Sequence, residues 1–176
     1  MFNLIAIYRF WWLCRLGGLM RRVAIFVDVQ NIYYTTRQGF NRNFNYNAFW
    51  TQVTSGREIV AAIAYAIDRG NEKQRQFQNI LRVIGFEVKL KPFIQRNDGS
   101  AKGDWDVGIT LDVMEYAPQS DVVVLASGDG DFDLLLNKIR MDYDVLAEVY
   151  GVRKLTAQSL INSATTFIAI TDDFLL

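Results

Sequence analysis

The stretch VVVLASGDGDFD at residues 122–133 joins an apolar run to an acidic turn, and a helix-like sequence follows it. The five apolar residues 122–126 indicate a strand that is buried on both faces. Asp129, Asp131 and Asp133 therefore gather where a buried strand ends. Open α/β sheets bind ligands just beyond the carboxyl ends of their strands. The stretch thus predicts an α/β fold and the place of a site.

A second apolar run, VAIFV at residues 23–27, ends in the same way. It is followed directly by Asp28, and Asn31 comes three residues later. If the two strands are neighbours in a parallel sheet, their acids share one crevice. The sequence therefore predicts a site to which distant parts of the chain contribute.

Strand-like and helix-like segments alternate beyond residue 22, which is typical of a parallel sheet with crossover helices. The pattern predicts strands at Val23–Asp28, Glu58–Ala66, Glu87–Lys91, Asp121–Ala126, Asp144–Val149 and, at an edge, Phe167–Ile170. It predicts helices at Asn47–Thr54, Glu72–Ile84, Gly103–Tyr116, Phe132–Met141 and Thr156–Asn162. We expect one doubly wound domain over residues 21–176, with five to six mainly parallel strands and helices on both faces.

Composition excludes several classes of chemistry. The chain has 176 residues, no histidine and one cysteine, Cys14, so it has no histidine-based catalytic triad and no zinc site of the Cys/His type. Carboxylates remain, and their hard oxygen atoms suit Mg²⁺ or Mn²⁺. Nineteen basic and nineteen acidic residues cancel, so a polyanion would have to be bound by local charge. A single cysteine fits a reducing compartment, and we expect a cytoplasmic protein.

Residues 1–20 differ from the rest of the chain. They are apolar and rich in aromatic residues, but Arg9 and Arg15 interrupt them, so stable membrane insertion is not expected. The segment is interpreted as an extension ahead of a start at Met20, or as an interfacial or docking segment.

The acidic turn allows other interpretations. A calcium-binding EF-hand starting at Asp129 would need Gly and Glu where Leu134 and Arg140 stand, so that possibility is rejected. Capping of the following helix by Asp129 or Asp131 remains open. Several neighbouring carboxylates repel one another unless a cation lies between them, which favours a metal or ligand site.

A third acidic segment, KGDWD, spans residues 102–106 and opens a predicted helix. Asp104 is placed to cap that helix, and Asp106 falls in its first turn, where the helix dipole favours a carboxylate. Asp112 lies six residues further along, so we expect it on the surface or in packing contacts.

Two loops interrupt the alternation. The loop at residues 38–47 contains Phe40, Phe44 and Tyr46 beside Arg42, and it is either a base-stacking surface or a connector whose aromatic rings pack onto the core. The loop at residues 92–101 has basic flanks that could touch phosphates.

Taken together, the three acidic segments resemble the NYN-domain family, a branch of the PIN-like nuclease superfamily. The resemblance rests on Asp28-x-x-Asn31, on Lys102-Gly103 followed by an aspartate, and on SGDGDF at residues 127–132; it runs from about residue 23 to 170. One departure is that Asp104 follows Lys102-Gly103 immediately, whereas many members have one intervening residue. Asp106 is favoured as the ligand.

The resemblance implies a Rossmann-like PIN fold, a divalent metal and ribonuclease activity on RNA. In that interpretation the metal-binding and catalytic residues are Asp28, Asp106, Asp129 and Asp131. The substrate-binding or supporting residues are Asn31, Lys102 and Ser127. A noncatalytic regulatory module that binds RNA, a nucleotide or a protein partner is the alternative. Self-association is left open.

Overall fold

The computed structural model describes residues 20–68, 70–92, 94–95, 101–102 and 104–176. Residues 1–19, for which an apolar extension is predicted, lie outside the described residues. No helix within these ranges is long and apolar enough to cross a membrane.

Six parallel strands form one sheet in the order β3-β2-β1-β6-β7-β8. The described strands are β1 (Arg21–Asp28), β2 (Arg57–Asp68), β3 (Glu87–Pro92), β4 (Ile94–Gln95), β5 (Ala101–Lys102), β6 (Val122–Ala126), β7 (Leu146–Gly151) and β8 (Thr166–Ala169). The helices are α1 (Val29–Phe40), α2 (Tyr46–Thr54), α3 (Glu72–Ile84), α4 (Asp106–Tyr116), α5 (Asp133–Tyr143) and α6 (Gln158–Ser163). The predicted α/β fold is confirmed, including the short edge strand β8.

Helices cover both faces of the sheet. One core contains residues of α1, α2 and α3, and the other contains residues of α4, α5 and α6. The apolar residues of β1 and β6 are fully buried, as expected for central strands that are covered on both sides. Because β1 and β6 are parallel neighbours, the end of β1 with Asp28 lies next to the end of β6, which Asp129 follows.

Helix α1 was not predicted from the sequence. Its β-branched and aromatic residues and Gly39 are weak helix formers, so local propensity gave no clear signal. One local and one tertiary feature support the helix: the Asp28 side chain caps its first turn, and its own residues Val29, Ile32 and Thr36 are buried against the rest of the domain. Packing therefore outweighs propensity here.

The loop that follows β3 contains a small antiparallel pair, β4 with β5, which was also not predicted. Residues 96–100, within the loop for which phosphate contacts are predicted, lie outside the described residues.

The asparagine-rich loop at residues 38–47 is a connector, not a free aromatic surface. Phe44 and Tyr46 are buried and pack edge to face at 5.0 Å. Arg42 forms an ion pair with Asp172 and donates to the Leu176 oxygen. The base-stacking interpretation of Phe44 and Tyr46 is therefore wrong, because the core takes their rings.

Candidate functional site

The acidic residues converge where the strand order reverses. β1 pairs with β2 on one side and with β6 on the other. The chain first adds β2 and β3 on one side of β1 and then adds β6, β7 and β8 on the other side. Such a switch point leaves a crevice beyond the carboxyl ends of the two strands. Asp28 lies at the end of β1 and Asp129 follows the end of β6.

Three carboxylates form a close group in this crevice. One oxygen each from Asp106, Asp129 and Asp131 lies within 4.8 Å of the other two. Asp106 and Asp129 are half-buried and Asp131 is exposed. Three anions at this separation repel one another, and a shared hard cation would remove the repulsion. The group thus has the donor chemistry that Mg²⁺ and Mn²⁺ prefer.

The pKa of Asp106 reflects both its burial and its acidic neighbours. Burial, and then the neighbouring carboxylates of which Asp129 and Asp104 act most strongly, raise the pKa of Asp106 to about 6. The smaller contributions come from Asp28 and Asp131. The charged form of this carboxylate is therefore disfavoured relative to that of a free aspartate.

Asp28 lies beside the group of three and has hydrogen bonds of its own. One oxygen accepts from the Asn31 backbone N–H at 3.0 Å and the other from Ser127 Oγ at 3.4 Å. Burial raises the pKa of Asp28, the hydrogen bond from Asn31 opposes this shift, and the Asp129 charge adds to it. Asp28 is therefore both the cap of α1 and an acid of the crevice.

The loop after β6 is built from short-range hydrogen bonds. Ser127 Oγ accepts from the Asp129 backbone N–H at 3.2 Å. The Asp129 side chain accepts from the Asp131 N–H at 3.0 Å and caps a short 3₁₀-helix over Gly130–Phe132. Asp129 thus caps the short turn that leads into α5, whereas the cap position of α5 itself, Phe132, makes no side-chain hydrogen bond.

Asn31 ties the two strand ends together. Its Oδ1 atom accepts from the Gly128 backbone N–H at 2.8 Å. Glycine is needed at residue 128 because a Cβ atom there would lie 2.9 Å from the Leu155 carbonyl oxygen. The segment before α6 thus packs closely against Gly128 of the acidic loop, and Asn31 forms a hydrogen bond to the same residue. This contact supports an orienting role for Asn31.

Trp105 positions Asp106. Its indole Nε1 donates to the Ala66 carbonyl oxygen at 2.9 Å, and its ring packs on Tyr65 with centroids 5.2 Å apart. The Lys91 ammonium lies 4.4 Å from the ring centroid, within cation–π range. Neither sequence pattern nor spacing identified this residue; the only signal was a tryptophan directly before an acidic helix start.

Helix α4 begins at Asp106, and Trp105 occupies the cap position without a side-chain hydrogen bond. The predicted capping of this helix by Asp104 and its predicted start at Gly103 are therefore wrong. Packing of the indole, not a carboxylate cap, sets where the helix starts. The Asp104 carbonyl oxygen accepts from Lys91 Nζ at 2.8 Å, and Asp106, not Asp104, belongs to the group of three.

Asp112 and Lys102 are two further residues for which the sequence gave an expectation. Asp112 forms an ion pair with Lys89 and accepts from the Tyr65 hydroxyl at 2.6 Å, so its predicted role in packing contacts is confirmed. Lys102 belongs to β5, and its side chain lies outside the part that the structure describes.

Comparison with known proteins gives a consistent result. The chain is 28% identical over 162 residues to the low amplitude and bright protein LabA of Synechococcus elongatus, covering 86% of this chain and 84% of that protein. It is 58% identical to a protein of unknown function from Vibrio parahaemolyticus, whose crystal structure superposes with a TM-score of 0.85 and covers 89% of this chain and 97% of that one. The family model described as NYN domain matches residues 22–171. The chain therefore belongs to the NYN domain family.

Proposed function

We propose that the protein is a Mg²⁺- or Mn²⁺-dependent endoribonuclease whose site is the acidic crevice between β1 and β6. The observation that carries the proposal is the convergence of Asp106, Asp129 and Asp131 within 4.8 Å. Family membership supports it, because NYN domains are related to ribonucleases of the PIN-like kind.

The residues present fit a divalent cation. All donors in the group are carboxylate oxygens, which are the ligands that Mg²⁺ and Mn²⁺ prefer. Asp106, Asp129 and Asp131 would hold the ion, with Asp28 as a further ligand from the end of β1. A bound divalent ion would lower the pKa of a water molecule and offset negative charge on the phosphate.

The remaining site residues would support these acids. Ser127 fixes Asp28 and the Asp129 backbone, and Asn31 fixes the loop that carries Asp129. Lys102 is proposed to offset the charge of the substrate phosphate. No histidine is available as a general base, so proton transfer would rely on carboxylates and water.

The test is cleavage of labelled RNA with and without Mn²⁺. Asp129→Asn and Asp106→Asn should each lower the cleavage rate at least tenfold. Asp173→Asn changes an exposed acid outside the group and should leave the rate unchanged. Cleavage that is equally fast in all four proteins would reject this site.

A noncatalytic binding module of the same fold is the second candidate. The observation that favours it is that both oxygens of Asp28 already accept hydrogen bonds within the protein, as a purely structural acid would. Metal binding by the folded state must raise the melting temperature. A melting temperature that is unchanged at millimolar Mn²⁺ would favour the binding module. Protein partners, self-association and a cytoplasmic location stay predictions.

A further inference from the structure

A groove of about 760 Å³ adjoins the acidic crevice on the face covered by α1, α2 and α3. This volume lies in the range of sites for small ligands. Val29 and Gln30, which directly follow Asp28, line one end of the groove. Ala66 and Ile67, beyond the β2 residue that pairs with Asp28, line its floor. The groove therefore begins beside Asp28, at the carboxyl end of β1.

Two adjacent tyrosines form an exposed aromatic wall. Tyr33 and Tyr34 line the groove, are 51% and 50% exposed, and contact each other edge to face with centroids 5.4 Å apart. Large rings are usually buried or paired with a partner. Exposed rings beside a phosphate-chemistry site are suited to stack nucleobases.

The charge of the groove differs from that of the whole chain. Arg37 and Lys73 line it, and no acidic side chain of the described residues does. Within the described ranges neither cation forms an ion pair, although Arg37 Nη1 donates to the Asn41 carbonyl oxygen at 3.3 Å. The protein has no net charge, but this groove is lined by two basic side chains, Arg37 and Lys73. An anionic ligand is favoured over a neutral or cationic one.

A buried amide adds a specific polar contact. Gln78 lines the groove and is 4% exposed, and its Nε2 atom has no hydrogen-bond partner among the described residues. A buried donor without a partner lowers stability, so native proteins rarely retain one. A nucleobase edge offers ring nitrogen and carbonyl acceptors for such a donor.

We propose that this groove, the tyrosine groove, binds nucleotides of single-stranded RNA that flank the bond to be cleaved. The bases stack on Tyr33 and Tyr34, a base edge accepts from Gln78, and the phosphates contact Arg37 and Lys73. A peptide segment would not need flat rings, an amide donor and two cations together. One part of the proposal rests on the proposed function, namely that the bound nucleotides flank the bond cleaved in the adjacent acidic crevice.

The test is binding, measured apart from cleavage. Fluorescently labelled single-stranded RNA decamers, oligo(U) and oligo(A), are titrated with the full chain in EDTA, and anisotropy gives the dissociation constant. The double variant Tyr33→Ala/Tyr34→Ala should bind at least tenfold more weakly, because stacking of one base contributes about a factor of ten or more. Phenylalanine at both positions should retain binding. Tyr143→Ala, at an exposed tyrosine of α5, is the matched control and should bind as the unaltered chain does.

Arg37→Gln and Lys73→Gln should each lower the slope of log affinity against log salt by about 0.7, because each removes one phosphate contact to a single strand. Denaturation curves show that each variant is folded. Equal affinity of the double alanine variant would overturn the proposal, as would equal binding of single- and double-stranded RNA or no RNA binding by the unaltered chain. Dissociation of a homodimer by the alanine substitutions, with RNA affinity unchanged, would assign the groove to a second copy and overturn it too.

The outcomes separate the groove from the nuclease. Cleavage that needs Asp129, together with unchanged RNA affinity in the double alanine variant, would reject the groove and keep the proposed function. Affinity that falls in the double alanine variant, with no cleavage by the unaltered chain, would keep the groove and reject the nuclease.

Discussion

Replacing Asp106 with asparagine should make the metal-free protein more stable at pH 7. The substitution keeps the shape of the side chain and removes one charge from a group of three carboxylates. The raised pKa of Asp106 means that its charged form is disfavoured in the folded state relative to the unfolded chain. Removing that charge should therefore raise the free energy of unfolding.

The size of the effect follows from the pKa of about 6 and the ordinary value of 3.8. Complete conversion of that difference would correspond to about 3 kcal/mol. Solvent screens a half-buried carboxylate, so we expect about 1 kcal/mol. For a chain of this size that is a rise in melting temperature of about 2–4 °C.

The assay is chemical and thermal denaturation in EDTA from pH 7.5 to 4.5. Because the pKa of Asp106 is raised on folding, its cost to stability is full above pH about 6. The cost disappears as the pH falls from about 6 toward 4, since the folded state takes up the proton first. The advantage of Asp106→Asn should therefore shrink across that window. Saturating Mn²⁺ should reverse the order, because the unaltered chain binds the ion more tightly.

Asp112→Asn is the matched control on the same helix. Asp112 is paired with Lys89 and accepts from Tyr65, so its removal should lower stability by about 1–2 kcal/mol. Two Asp→Asn changes in α4 should thus have opposite signs. An Asp106→Asn protein that is less stable than the unaltered chain without metal would refute the idea that burial and the neighbouring carboxylates disfavour the charge of Asp106.

Three further substitutions test the framework of the site. Gly108→Ala would place a Cβ atom 2.6 Å from the Trp105 ring. It should lower the free energy of unfolding by about 1–3 kcal/mol and slow RNA cleavage. Unchanged cleavage and stability would contradict the positioning role of the indole. Arg57→Met breaks the two-point ion pair with Glu148 between β2 and β7 and should cost about 2 kcal/mol in urea denaturation, with no effect on RNA affinity. Asn31→Ala removes the link from α1 to the loop after β6 and should cost about 1 kcal/mol; a cleavage rate equal to that of the unaltered chain would show that the link does not orient the acids.

The strands and the end at which the acids lie were predictable from the sequence. Apolar runs such as residues 122–126 have no helical period, and the strand ends of a parallel sheet share one edge. Helix α4 was placed correctly except for its start. The start could not be predicted because the contact that fixes it joins Trp105 to Ala66, which is 39 residues away.

Helix α1 and the tyrosine groove were missed for a related reason. The spacing of Val29, Ile32 and Thr36 carried a weak helical signal, but weak helix formers obscured it. The exposed position of Tyr33 and Tyr34 follows only from how α1 packs on the sheet. Conversely, Phe44 and Tyr46 of the loop at 38–47 looked available in the sequence and are buried in the fold.

By itself the sequence determined that histidine chemistry is excluded, because the chain lacks histidine, and that several carboxylates follow strand ends. These are local facts of residue type and hydrophobic pattern. Only the tertiary structure decided which acids meet. Asp28 and Ser127 are 99 residues apart and touch, and Asp106 joins Asp129 because an indole anchors the start of its helix. Contacts between distant segments depend on packing, and residue pattern alone does not specify them.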